Sequence, residues 1–473
     1  MPKPSIIIRR ILLAFVWLLA GIVALAVLLL GTTLFLNRHD QPPSAQVQQL
    51  RAAIEGRAVD DASNGFVYLL GMGVAPDKDV LASGRARMDW LRRSFSGPRQ
   101  ALTPDPIQGE VDRNQPRSEA TKALLAACRS APANAECTLT WSNSDDTMLA
   151  WVGSEAWLLE RYRGLLAYTQ WRDPLFLRVD ATFPDYAVAL EGQQLWLAQV
   201  MQAASEGRAD GVTTALEQDM QFWRRVLAAA ESTVTKVVAV TALRKNLILG
   251  QQALLRLPAG SAPATWSLLL SDAERSLRSC LVGEWSYADA TYHDMEASGL
   301  RTPGQTAQGG FWAGLMLNLF QPQDSSNHQA AEYLAIADTL DVPPERLEAA
   351  IVQVRKDRDE AAGTRLPPLR LYNPLGAILV AITGPDFSNY ALRIADLEGL
   401  RRATLLATEL RARRLPAGEV AAALRQATLR NPYNGEAFGW DAASASIVFQ
   451  GRQDGERARH LVPYQLIAKA AAP

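Results

Sequence analysis

Histidine and cysteine are the scarcest chemically useful residues here, four and three respectively in a chain of 473. Any site built on imidazole must use His39, His293, His328 or His460. The chain also lacks a G-x-S-x-G elbow, an H-E-x-x-H helix, a G-x-x-x-x-G-K-[ST] phosphate loop and a C-x-x-C pair, so no complete catalytic, metal or cofactor signature is present. Gly71 and Gly73 run on into Val-Ala-Pro without a third glycine, which excludes a dinucleotide loop. Net charge is missing as well. With 48 basic and 49 acidic residues the formal charge is −1, leaving no global field to attract nucleic acid. The basic run Arg411, Arg413 and Arg414 falls in a helical pattern and reads as a solvated face.

Against these absences stands one long apolar run. Ile11 to Leu36 contains 26 residues and no charge. At about 1.5 Å per residue such a helix crosses a hydrocarbon core of about 30 Å with room to tilt. A cleaved signal peptide has a shorter apolar core and a small-x-small exit, which Leu34-Phe35-Leu36-Asn37 does not supply. The run is therefore expected to be an uncleaved transmembrane anchor. Lys3, Arg9 and Arg10 precede it, whereas Arg38 and His39 beside Asp40 follow it. That imbalance predicts the N-terminus inside and the main domain outside the cytoplasm, which is the periplasm if the cell is Gram-negative. No second uncharged run reaches spanning length.

The rest of the chain is predicted to be mainly α-helical. The expected divisions are a cytoplasmic basic segment over 1–10, the anchor over 11–36, a polar linker over 37–45, a helical soluble region over 46–365 and a C-terminal α+β tail over 366–473. Leu216, Met220, Trp223, Leu227 and Ala230 recur at three and four and predict one apolar stripe. The stretch from Asp145 to Trp171 reads as a single long helix, with Met148, Trp151, Leu158, Tyr162 and Leu165 on its period. The tryptophans of these segments are expected in the core. FWAGLMLNLF, residues 311–320, is too short to span and reads as a buried helix or a partner-facing patch. In the tail, Asn434-Gly435, alternating Phe438 and Trp440, and the run Ser446 to Phe449 predict a β-hairpin.

Three stretches carry resemblances. YLLGMGVAPDKDVLASGRARMDWLRRS loosely resembles the helix-loop-helix of Sel1-type repeats. The long helices and short turns between Tyr186 and Leu257 resemble degenerate tetratricopeptide-type hairpins. From Tyr390 to Gly451 the order of long helix, LP, short helix, NPYNGEAFGWD and short strand is similar to the C-terminal part of pseudopilin-like proteins and of uncharacterised single-pass, membrane-anchored bacterial proteins. These likenesses imply folding modules and carry neither an activity nor a site.

Candidate chemistry is sparse. Cys128 and Cys137 bracket the loop CRSAPANAEC and form a possible disulfide in an oxidising compartment, with two reduced thiols as the alternative. Cys280 reads as a buried thiol. In ATYHDMEAS, His293 and Glu296 lie three apart and share a helix face, while Asp294 diverges from them, so a solvated helix-end cluster competes with a metal site. Glu284 beside Trp285 is the one carboxylate placed among aromatics where a general acid is sought, with Asp289 as an unassigned neighbour. The expected function is a membrane-anchored extracytoplasmic scaffold or adaptor that binds a protein partner and needs no cofactor. The alternative is an envelope hydrolase acting on a cell-wall polymer through Glu284 or another carboxylate.

Overall fold

The structure is a computed structural model that describes residues 4–56, 59–95, 103–107, 145–175, 181, 183–260, 262–297, 318–365, 370–383, 386–453 and 458–465. Cys128, Cys137 and most of FWAGLMLNLF lie outside these residues. The fold is mainly helical, with one small antiparallel sheet near the C-terminus. The chain forms two compact units. One comprises Met1–Arg51, Ala288–Glu332 and Lys356–Pro385; the other comprises Ala52–Tyr287, Tyr333–Arg355 and Asp386–Pro473.

In the first unit, helix α1 (Pro4–Leu36) is uniformly apolar from Leu12 onward, and it is the one helix among the described residues long and apolar enough to cross a membrane. From Leu12 to Leu36 its side chains are exposed, and only Thr32, Thr33 and Leu34 in the last turns are half-covered. The unit's small core joins Tyr292, Phe320 and Val380, with Leu375, Leu379 and Met295 packed against it.

The second unit begins with helices α2 (Ala45–Glu55, shared with the first), α3 (Gly65–Gly71) and α4 (Val80–Phe95). Asn64 caps α3 by accepting from the Phe66 amide at 3.0 Å. Gly71 and Gly84 let α3 and α4 touch backbone to backbone, since a methyl on Gly71 falls on the Val80 carbonyl and one on Gly84 on the Val67 carbonyl. The glycine that fits no phosphate loop thus serves a helix crossing.

The helix expected from Asp145 to Trp171 is instead two, α5 (Asp145–Ser154) and α6 (Ala156–Leu166). Ser154 Oγ turns back to the Trp151 carbonyl at 2.9 Å, and Glu155 leaves helical geometry with ψ 25°. A side chain that bonds the preceding turn competes with the helix ladder, which accounts for the break.

Helices α7 (Tyr186–Ser205), α8 (Ala209–Ala229) and α9 (Thr233–Leu255) are the predicted hairpins, with Gly207 at φ 78° making the first turn. The stripe Leu216, Met220, Trp223, Leu227 and Ala230 is buried, as are Trp151, Trp171, Trp196 and Trp285. Helix α9 is buried on most sides, between α7, α8 and the long helix Ser388–Ala412. Its end is closed by Arg411, which donates to the carbonyls of Leu254, Leu255 and Leu257, so this arginine of the predicted solvated run faces inward while Arg413 and Arg414 are exposed.

After α9 come the short helices α10 (Ala264–Ser267) and α11 (Asp272–Arg275), then α12 (Arg278–Ala297), α13 (Pro322–Leu340), α14 (Pro344–Arg365), α15 (Pro374–Thr383), α16 (Ser388–Ala412) and α17 (Ala417–Gln426).

Among the described residues the tail holds three strands rather than two: β1 (Gly439–Asp441), β2 (Ser446–Gln450) and β3 (Arg459–Pro463), antiparallel in that order. Asn434-Gly435 turns the chain before β1, where Gly435 N–H donates to the Asn431 carbonyl at 2.9 Å. The hairpin itself turns at residues 442–445, held by Asp441, which accepts from the Ala443 amide at 3.1 Å and the Ser444 hydroxyl at 3.0 Å. An aspartate that bonds its own backbone two residues on makes a turn without Asn-Gly. Phe449 seats its ring over Gly399 of α16, where any Cβ would collide with it.

Candidate functional site at the end of the apolar helix

Among the described residues of the first unit, a dense set of side-chain hydrogen bonds lies where α1 ends. Asn37, the residue after Leu36, is buried, and its Nδ2 donates at 2.7 Å to both the Thr33 carbonyl and the Leu371 carbonyl. Its Oδ1 accepts from the Asn373 amide at 2.7 Å, and its own carbonyl accepts from Gln321 Nε2 at 2.8 Å. Asn373 completes the clasp. Its Oδ1 accepts from the amides of Gln321 at 2.9 Å and Gly376 at 3.0 Å, while its Nδ2 donates to Asp324, Ser325 and the Gln321 carbonyl. Asn373 holds φ 49°, a left-handed conformation that asparagine tolerates better than most residues.

Residues 37–45, expected to be a linker, carry more of these bonds. The Asp40 carboxylate accepts from the amides of Gln323 at 2.7 Å and Asp324 at 3.0 Å, capping the α13 N-terminus from far along the chain. A carboxylate there satisfies orphan amides and meets the positive end of the helix dipole. Asn327 accepts from the Ser44 amide at 2.9 Å and donates to the Pro42 carbonyl at 3.0 Å. The apolar helix is thereby joined to its unit by neutral amides and the carboxylates of Asp40 and Asp324, with every named polar group paired. Sequence reasoning missed the clasp. Its local traces are Asn373-Pro374 and Pro322, because proline favours the first helical position.

Glu284 sits elsewhere, in the second unit. Half-buried, its Oε1 accepts from the Thr233 amide at 3.1 Å and the Thr233 hydroxyl at 2.6 Å, so it caps α9 at the first turn. It lines a cavity of about 180 Å³ with Pro174, Leu175, Phe183 and Glu231. Glu231 is itself held by Arg172 at 2.6 Å. The two carboxylates of this cavity are thus occupied by a helix terminus and a guanidinium. Asp289, the unassigned neighbour, accepts from the Ser326 hydroxyl at 2.5 Å and faces Arg51 at 3.6 Å in the first unit. His293 Nδ1 lies 2.9 Å from the Asp289 carbonyl, four residues back in its own helix, and the Glu296 side chain lies outside the described residues. Among the described residues no group of three or more His, Cys, Asp or Glu is arranged to hold a metal. Cys280 is buried, and burial pushes its thiol up to about 12.

Two further polar centres stiffen the second unit. Asp219 is wholly buried and accepts from the Tyr162 hydroxyl, from Gln193 Nε2 at 3.0 Å and from Asn246 Nδ2 at 2.8 Å. Loss of solvation raises its carboxyl to about 6, against the lowering effect of those three donors. Lys236 buries its ammonium among the carbonyls of Leu227, Ala273 and Ser276 at 2.7–3.2 Å, and burial lowers its pKa.

Fold and clasp together define an α-rich chain with one long exposed apolar helix fastened to a folded unit. No family model, curated protein or solved structure matches the chain.

Proposed function

We propose that this is a single-span membrane protein whose helical region serves as a scaffold or adaptor for a protein partner, with the N-terminus inside and the helical region outside the cytoplasm. The observation that carries the membrane part is the exposure of α1. Sixteen large apolar side chains between Leu12 and Leu36 are 44–74% exposed. At about 1.5–3 kcal/mol for each such side chain, leaving them in water costs on the order of tens of kcal/mol, which a bilayer removes. The basic residues before the span and their scarcity after it support the orientation.

The partner reading is supported by Leu268 and Leu269 of the second unit, which are 57% and 65% exposed. Their backbone is not loose. Arg224 donates to the carbonyls of Leu268 at 2.8 Å and Leu269 at 2.6 Å while paired with Glu274 at 2.6 Å, so two large apolar side chains are displayed on a fixed frame. Such rigid apolar residues suit the centre of a protein contact.

The test is affinity capture of the full chain from detergent-solubilised membranes, beside a Leu268→Ser, Leu269→Ser double variant. The expected outcome is a stoichiometric partner that the double variant loses, with protease added outside the membrane cutting the helical region. Capture without any stoichiometric partner sinks the adaptor reading, and protection of the helical region from external protease sinks the orientation.

A further inference from the structure

Helix α15 follows the clasp directly. Its first residue is Pro374, and the Asn373 amide before it donates to Asn37, the residue that follows the apolar span. From Leu371 to Thr383 the sequence LYNPLGAILVAIT holds no charge. Its inward face is used: Ala377 and Val380 are buried, Val380 against Tyr292 and Phe320. The opposite face carries Ile378 and Ile382, four apart, which are 37% and 70% exposed. A helix of ten residues is about 15 Å long, too short to span, yet suited to lying in the headgroup boundary with one apolar face inward. The boundary itself is marked by Arg38, whose guanidinium lies 4.9 Å from the ring centre of Phe35. Hydrogen bonds of 2.7 Å to the Asn373 amide and the Leu371 carbonyl hold the start of α15 beside that boundary.

We infer that α15 is a second membrane contact, an interfacial helix that inserts Ile378 and Ile382 into the bilayer entered by α1. The contact rests on the reading of Leu12–Leu36 as a membrane span. It makes the clasp a means of setting the first unit against the lipid surface at two points, which limits rotation about the span.

The test is photo-crosslinking of the full chain in phosphatidylcholine–phosphatidylglycerol nanodiscs, with benzoylphenylalanine replacing one residue at a time. The sites are Leu25 in the span, Ile378 and Ile382 in α15, and Val352, a 66% exposed apolar residue of the second unit, as background. The expected result is lipid adduct at Leu25 and at one or both α15 sites, about tenfold above Val352, as for a side chain buried in the acyl boundary. Adduct at Leu25 with both α15 sites at the Val352 level overturns the interfacial helix and leaves the span intact. No adduct at Leu25 overturns the span and with it this inference.

Discussion

The clasp around Asn37 and Asn373 and the network around Asp219 are both buried, but their central groups differ. In the first unit the centre is two asparagines and a glutamine, neutral at every pH. In the second it is a carboxylate, with Tyr162, Gln193 and Asn246 donating to it. Burying a neutral amide needs only that its donors and acceptors be matched, whereas burying a carboxylate also incurs desolvation of charge. The first arrangement keeps neutral amides at its centre, with the carboxylates of Asp40 and Asp324 at its edge, whereas the second sets a titratable group at the centre of the helical core.

The contrast is broken most severely at Asp219. Asp219→Ala leaves three buried donors without their acceptor, and at about 1–3 kcal/mol each, partly relieved by relaxation, the expected loss is about 4 kcal/mol. The tryptophan-fluorescence thermal midpoint of the micelle-bound chain should fall accordingly, since Trp223 donates to the Tyr162 hydroxyl at 2.8 Å. A midpoint within a degree of wild type would show that the network contributes little.

Asn373→Ala is the matching cut in the first unit, with an expected cost of about 3 kcal/mol from two orphaned amides and an alanine at positive φ. Asn373→Gly separates these causes: it accepts φ 49° but still lacks the side chain, so it should recover only about 1 kcal/mol. Trypsin cleavage after the exposed Arg38 should accelerate in both variants. Unchanged cleavage would mean that residues 37–45 are held in place without the Asn373 side chain.

Much of this fold was legible in the sequence, and the clasp was not, for one physical reason. Periodicity reports which face of a helix is buried, so the stripe from Leu216 to Ala230 and the hairpins from Tyr186 to Leu255 could be read directly. Hydropathy likewise reported α1. Polar pairing carries no such period. Asn37 meets residues 284 and 336 positions away, and nothing local to it distinguishes a clasp from a linker. The break at Glu155 and the third strand were missed because a serine back-bond and a five-residue strand carry little pattern over their short length. Glu284 was singled out for its aromatic neighbours, yet its partner Thr233 lies 51 residues away, and that pairing makes it a helix cap.

The smallest effects come from pH, where two groups of the second unit oppose each other. His460 is stacked on Phe449 at 5.5 Å, and burial, with Arg244 nearby, lowers its pKa from 6.5 to about 3. The unfolded chain then binds the proton that the folded chain refuses, so stability present above pH 6.5 falls as pH drops, by about 2 kcal/mol between pH 7 and pH 5. A His460→Phe variant, which keeps the stack, should lose that slope. Asp219 acts in the reverse sense. Its folded carboxyl, raised from 3.8 to about 6, takes up a proton before the unfolded one does, so acidification from pH 7 to pH 5 adds about 1 kcal/mol. Asp219→Asn removes that gain while retaining one oxygen for Gln193 and Asn246. Its stability should therefore drop about 1 kcal/mol further than wild type over the same interval. Parallel curves for wild type and Asp219→Asn would mean that the three donors hold the carboxylate charged throughout, and the two units would then differ in chemistry but not in their response to pH.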